Sequence, residues 1–330
     1  MFDDTGIADV YVLEYCTSRV TGIDSGSGDT VHECMLPPPC RRSLALSPTG
    51  RHLAIGCDDS SALVYDTATL TLIATCATLT SSRSVAYSPD GAWLAATDGL
   101  TVRLFDAASE TYTQTSSRTI PGDGRSLCRL AFHSLSTSLV VSSYGGSMLA
   151  VVSVPALETL RSINITEAVP EYVSFDTSFA TYNDVIAVTG SKVVPVLDYA
   201  TLAIVHILSC FNQPIKAVAL TPDNTLIALG GDDKRVSVFV AASFDPYSII
   251  DCPNDVMSIA FISENALVAG IYMHEVMVYD VQAGVLLMQF NSHQDEPTSI
   301  AVVKKALCKL FSVVVVLMVP LNLQSLQGRF

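Results

Sequence analysis

Apolar positions in this chain come in short runs, broken every few residues by Pro, Gly, Asp or Ser, and helical spacing is not sustained anywhere. The stretch that begins at Val85 shows the pattern. Val85–Tyr87 is followed by the turn Ser88-Pro89-Asp90-Gly91, then by Trp93–Ala96, a turn at Asp98-Gly99, Val102–Phe105 and Thr111–Thr115. Pro cannot donate to a sheet ladder and Gly accepts positive φ, so confining both to the breaks predicts four short strands joined by tight hairpins.

The same unit recurs. Ser84-Val85-Ala86-Tyr87-Ser88-Pro89-Asp90-Gly91 repeats Ser43-Leu44-Ala45-Leu46-Ser47-Pro48-Thr49-Gly50 almost residue for residue. Weaker copies stand at Arg129–Phe132, Tyr172–Phe175, Ala217–Leu220, Ser258–Phe261 and Ser299–Val302. Their second residues, Leu44, Val85, Leu130, Val173, Val218, Ile259 and Ile300, are spaced by 41, 45, 43, 45, 41 and 41 residues. A period of roughly 40–45 residues is that of four-stranded propeller blades. The fold class that follows is all-β: a seven-bladed β-propeller of antiparallel four-stranded blades.

Several units end their third strand in an apolar residue followed by Asp: Ile23-Asp24, Tyr65-Asp66, Phe105-Asp106, Leu197-Asp198 and Tyr279-Asp280. These pairs resemble the Trp-Asp dipeptide of the WD-repeat family, and Asn291-Ser292-His293-Gln294-Asp295 resembles the Gly-His element that precedes a WD-repeat first strand. The resemblance spans nearly the whole chain. It departs from the family in the signature residues: none of the pairs contains Trp, and Trp93 lies on a second strand.

Residues 10–36 read as three strands, Val10–Glu14, Arg19–Ile23 and Val31–Met35, that lack an inner partner. The strand Ser299–Val303 supplies it, so one blade is built from both chain ends and the sheet edges are sealed. The propeller is thus expected over residues 1–303, with an apolar tail at 304–330. The tail carries Leu310–Val319, a β-branched run about half as long as the ~20 residues a membrane-spanning helix needs. It reads as an extra or competing outer strand, as a poorly ordered or misread end, or as a membrane contact.

Composition narrows the function classes. Half the residues are hydrophobic and 15% are charged, so the chain has a core to bury and folds. A net charge of −14 with 18 Lys+Arg argues against nucleic acid or an anionic membrane as partner. The acidic start, Met1-Phe2-Asp3-Asp4, lacks the basic and apolar regions of a secretory signal, which places the chain in the cytoplasm or nucleus. There the sequon Asn164-Ile165-Thr166 is silent, and the nine scattered cysteines, with no C-x-x-C pair, are expected as free thiols.

Chemical motifs are sparse. The six histidines show no H-E-x-x-H or H-x-H spacing, and no G-x-S-x-G elbow is present. The Gly-rich stretch Gly22–Asp29 lacks the Lys-Ser/Thr of a phosphate loop and reads as the turn between third and fourth strands of the first-begun blade. Gly230-Gly231-Asp232-Asp233-Lys234 could hold a cation through its carboxylates, but it occupies a slot where other units place turns. No metal, cofactor or catalytic residue is assigned.

In propellers that resemble this one, the residue two before the anchor opens onto the rim of the central channel, where partner peptides dock. Carried over, that position falls on Arg42, Arg83, Cys128, Glu171, Lys216, Met257 and Thr298. Three are basic, which suits an acidic or phosphorylated peptide. The resemblance implies a non-enzymatic scaffold in a multiprotein complex. Two alternatives stand beside it. One is a phosphoinositide-binding propeller of the autophagy type, whose Phe-Arg-Arg-Gly motif is replaced here by Cys40-Arg41-Arg42-Ser43. The other is a propeller enzyme with its site at the channel mouth, which needs His133 or His293 beside a carboxylate there.

Overall fold

The computed structural model describes residues 10–302, apart from 15–18, 25–26, 28, 38–39, 59–60, 79, 81, 122–123, 144–147, 170–178, 183–184, 210, 222, 273–274 and 291–296. The described strands form seven sheets of four antiparallel strands each. Six are continuous in sequence and are numbered here as blades 1 to 6: residues 40–77, 85–119, 127–164, 179–208, 215–251 and 256–290. Blade 7 is composite. Its inner strand, Pro297–Val302, pairs with Val10–Glu14, which pairs with Arg19–Ile23 and then Thr30–Met35. The ladder between the chain ends sets Val12 opposite Ile300 and Val10 opposite Val302. Closure by the N-terminal strands is therefore as the sequence predicts, and the tail 304–330 lies outside the described residues.

Burial explains why the apolar runs were so legible. Each blade packs a face against both neighbours, so its middle strands are buried on both sides: Leu53 to Cys57 in blade 1 and Ser138–Ser143 in blade 3 are buried throughout. Fourth strands face solvent, as in Gln114–Thr119. Seven apolar clusters fill the seven gaps between neighbouring blades. One joins Ala54, Val64 and Cys76 to Leu94, Ala96 and Phe105, and another joins Val268, Val276 and Val278 to Val10, Val12 and Ile23. With a cluster in every gap, including that beside the composite blade, the ring is closed.

The turns into the fourth strands of blades 1, 2, 4, 6 and 7 are built by the aspartates singled out above, while Ser153 and Val240 hold that place in blades 3 and 5. Asp66 Oδ1 accepts from the amides of Ala68 at 3.0 Å and Thr69 at 2.9 Å, and Asp198 Oδ1 accepts from Thr201 N at 2.7 Å and Thr201 Oγ1 at 2.6 Å. Asp24, Asp106 and Asp280 accept equivalent amide bonds. Each therefore caps a turn in the manner expected of Asx residues. The turn ends on a left-handed residue that is often leucine: Leu70, Leu157 and Leu202 have φ of 49°, 58° and 58°. A left-handed leucine costs roughly 1–2 kcal/mol. All three are buried, and burying such a side chain returns roughly 1.5–3 kcal/mol.

Three expectations need correction. The fourth strand of blade 2 runs over Gln114–Thr119, not Thr111–Thr115, because Asp106 closes a longer turn by accepting from Tyr112 N at 3.1 Å. In blade 4 the phrase Tyr172–Phe175 lies outside the described residues, and Phe179–Tyr182 takes the inner place. Cys57 is disulfide-bonded, against the expectation of free thiols, while Cys34, Cys76 and Cys252 are free. Among the described residues no helix is long and apolar enough to cross a membrane.

Candidate binding site at the channel mouth

Inner strands have no strand neighbour on the channel side, so their inward amides need other partners. Serines of the recurring phrase supply them. Ser299 Oγ accepts from Leu44 N at 3.2 Å, Ser43 Oγ from Val85 N at 2.9 Å, and Ser84 Oγ from Leu130 N at 3.1 Å. Each hydroxyl thus reaches from one blade to the anchor amide of the next. The staples run from blade 7 through blades 1 and 2 to blade 3. Arg129 and Ala217 stand at the serine position in blades 3 and 5.

One step before the serine, the inner strands carry a β-bulge. Pairing jumps from Cys40 to Ser43 in blade 1, from Leu127 to Arg129 in blade 3, from Ile215 to Ala217 in blade 5 and from Val256 to Ser258 in blade 6. The skipped residues include Arg42, Cys128, Lys216 and Met257, all of them expected rim positions. A bulged residue leaves the ladder and re-aims its side chain. In blade 2 the place of ladder pairing at Arg83 and Ser84 is taken by Thr97 Oγ1, which accepts from their amides at 2.9 and 3.0 Å.

The bulges surround a cavity of about 190 Å³ on the ring axis, lined by the inner strands of every blade except the fourth. Lys216 and Met257 line it, with Lys216 Nζ 3.9 Å from Met257 Sδ. Arg83 is half-buried at the start of the blade 2 inner strand, outside the lining. Glu171 and the side chains of Arg42, Cys128 and Thr298 lie outside the described residues and side chains. Arg129, a lining residue from blade 3, was missed by the sequence reading. It stands one position further along than the rim register, where other blades carry the stapling serine, and that substitution of a cation for a serine was the available signal.

Lys216 Nζ lies 2.6 Å from Asp232 Oδ1, in a charge contact outside hydrogen-bond alignment. Asp232 and its neighbour Asp233 sit in the turn between Leu226–Gly231 and Arg235–Val240, as expected for that Gly-Gly-Asp-Asp-Lys stretch. Burial pushes the Asp233 carboxyl above the usual range, partly offset by backbone hydrogen bonds. The glycines of this corner are needed for close approach: a Cβ on Gly231 would collide with Pro214 O, and one on Gly230 would meet Val256 and Ile259 side-chain atoms at 2.7 Å. Gly56 is the blade 1 counterpart, where a Cβ would lie 2.5 Å from Ser82 O.

The remaining candidates have structural places. His133 is buried at the far end of its strand with its ring 4.3 Å from that of Tyr199, and His293 lies outside the described residues. His52 Nδ1 shares a hydrogen bond with Tyr112 OH at 2.7 Å. Arg41 and Arg42 lie on the inner strand of blade 1. Among the described residues no three His, Cys, Asp or Glu are grouped to hold a metal ion.

A ring of seven four-stranded sheets around an axial cavity defines a β-propeller. The model of the WD domain, G-beta repeat matches residues 40–66, 71–106 and 203–239. The second and third matches open on the outer strand of one blade and finish on the third strand of the next, so the sequence repeat straddles blades. Three such repeats set in a seven-bladed ring are consistent with a WD-repeat family propeller. No curated protein matches it. Propellers of this family are in general non-enzymatic platforms for protein interaction, and the fold supports that role.

Proposed function

We propose that the channel mouth of this scaffold receives an acidic or phosphorylated peptide from a partner protein. The observation that carries the reading is that Arg129 and Lys216 line one cavity from two different blades, with the backbone at Lys216 bulged toward it. The Lys216–Asp232 pair does not block such a ligand. Both side chains are only partly exposed, at 37% and 28%, so Lys216 stays within reach of a ligand in the cavity while it is paired. A carboxylate or phosphate that engages Lys216 and Arg129 together makes charge-assisted contacts with both at once.

The test is a titration of the full chain with fluorescent peptides that are acidic, phosphorylated, neutral or basic. Acidic and phosphorylated peptides are expected to bind, to weaken as salt rises, and to lose at least tenfold in affinity in a Lys216→Ala, Arg129→Ala variant that melts like the parent. Equal binding of neutral peptides, or undiminished affinity in that variant, refutes the reading. An Arg42→Ala, Arg83→Ala variant then measures what the other two rim cations add.

A further inference from the structure

The outer strand of blade 6, Leu286–Phe290, is paired on one side only among the described residues. Like the outer strands of blades 1 and 4 it carries no charge, whereas those of blades 2, 3, 5 and 7 carry Arg118, Arg161, Asp251 and Glu33. Charged side chains on an edge discourage further pairing. Val285, Leu286 and Leu287 are 52%, 48% and 56% exposed, and Ile249 on the adjoining blade is 59% exposed. Ser248 Oγ donates to Val281 O at 2.5 Å, which locks the two blades together here and makes the apolar patch continuous.

We propose that this patch is covered by the chain's own segment Leu310–Val319. Direction comes first. Strands within a blade alternate, so an outer strand begins at the end of the ring where inner strands finish; Leu286 and the exit of the chain at Val302 therefore share one face. Reach is sufficient. Three strand spacings from the inner to the outer strand of a blade amount to about 14 Å, and residues 303–309 extended span about 23–25 Å, which leaves about 9 Å for the step from blade 7 to blade 6. Chemistry agrees at both steps. The connecting residues include Lys304, Lys305 and Lys309, and blade 6, beside the exit, presents Glu264 and Asp280 in its turns at that end. The run itself is uncharged and rich in valine, which suits an uncharged edge.

The experiment places the photo-cross-linker benzoylphenylalanine at position 287 of the full chain, in place of Leu287, and maps products by mass spectrometry. The expected product is a cross-link within one chain to residues 310–319, lost on Val314→Asp, Val316→Asp substitution. Cross-linked dimers would assign the patch to a second copy and overturn the proposal. So would cross-links confined to other segments, or none. The same probe in place of Met35, on the outer strand of blade 7 and 63% exposed, should give no tail product; an equal yield there would show contact without a specific site and likewise overturn it.

Discussion

Replacing Ser43 with alanine removes one staple between blades and little else. The hydroxyl is buried and accepts from Val85 N at 2.9 Å, so the variant leaves a buried backbone donor unpaired while the lost side-chain volume is a single oxygen. Stranding such a donor costs about 1–3 kcal/mol. Unfolding entropy of about 2.1 cal/mol/K per residue makes each kcal/mol worth about 1.5 °C for a chain of this length, so Tm should fall by about 1.5–4.5 °C. Differential scanning calorimetry with urea titration measures both quantities. Ser109→Ala is the control, since that hydroxyl is exposed and bonds only Thr111 Oγ1 at 2.7 Å; it should change stability by less than about 0.5 kcal/mol. If Ser43→Ala is no worse than Ser109→Ala, Val85 N finds another partner and the staples do not hold the blades.

Other expectations follow from single contacts. Gly56→Ala drives a methyl onto Ser82 O, a backbone atom 2.5 Å from the new Cβ, and should destabilise by about 1–3 kcal/mol in urea titration. Burial pushes the Cys76 thiol up to about 12 and the Cys252 thiol to about 11; in the native protein at mildly alkaline pH both should alkylate far more slowly than half-buried Cys34, and urea should abolish the difference. Hydrogen bonds from Thr201 hold Asp198 low, and at Asp66, Asp90 and Asp223 burial pushes upward but turn hydrogen bonds outweigh it. Because these folded values lie below the unfolded value of about 3.9, the stability they add is present above it and is lost as pH falls through the folded values. Half-buried Asp233 works in the opposite sense. Tm should therefore hold steady down to about pH 5 and drop below about pH 4; a Tm that rises on acidification would contradict the turn-capping role.

The ring was legible because each blade buries both faces, which turns its middle strands into unbroken apolar runs, and because Ser-Pro-Asp-Gly hairpins mark the period. Of the expected rim positions, Lys216 and Met257 line the cavity and Arg83 does not, a division that the sequence register does not show. A bulge at Lys216 or Met257 needs no glycine and leaves no mark in the residues. The serines of the repeated phrase were visible as repetition, while their bonds to the next blade arise only when the ring closes. Left-handed Leu70, Leu157 and Leu202 occupy a place where sequence rules expect Gly or Asn, because the turn offers a buried socket that repays the strain. Arg129 escaped notice because it replaces a stapling serine instead of occupying the expected rim position.

The account depends on closure of the ring by the two chain ends, and hydrogen exchange on the full chain tests that directly. Peptides covering Val10–Glu14 and Pro297–Val302 should be protected alike, and Val12→Asp, which places a charge at a fully buried site opposite Ile300, should speed exchange in both. An N-terminal peptide that exchanges at unstructured rates while residues 297–302 stay protected would contradict the composite blade.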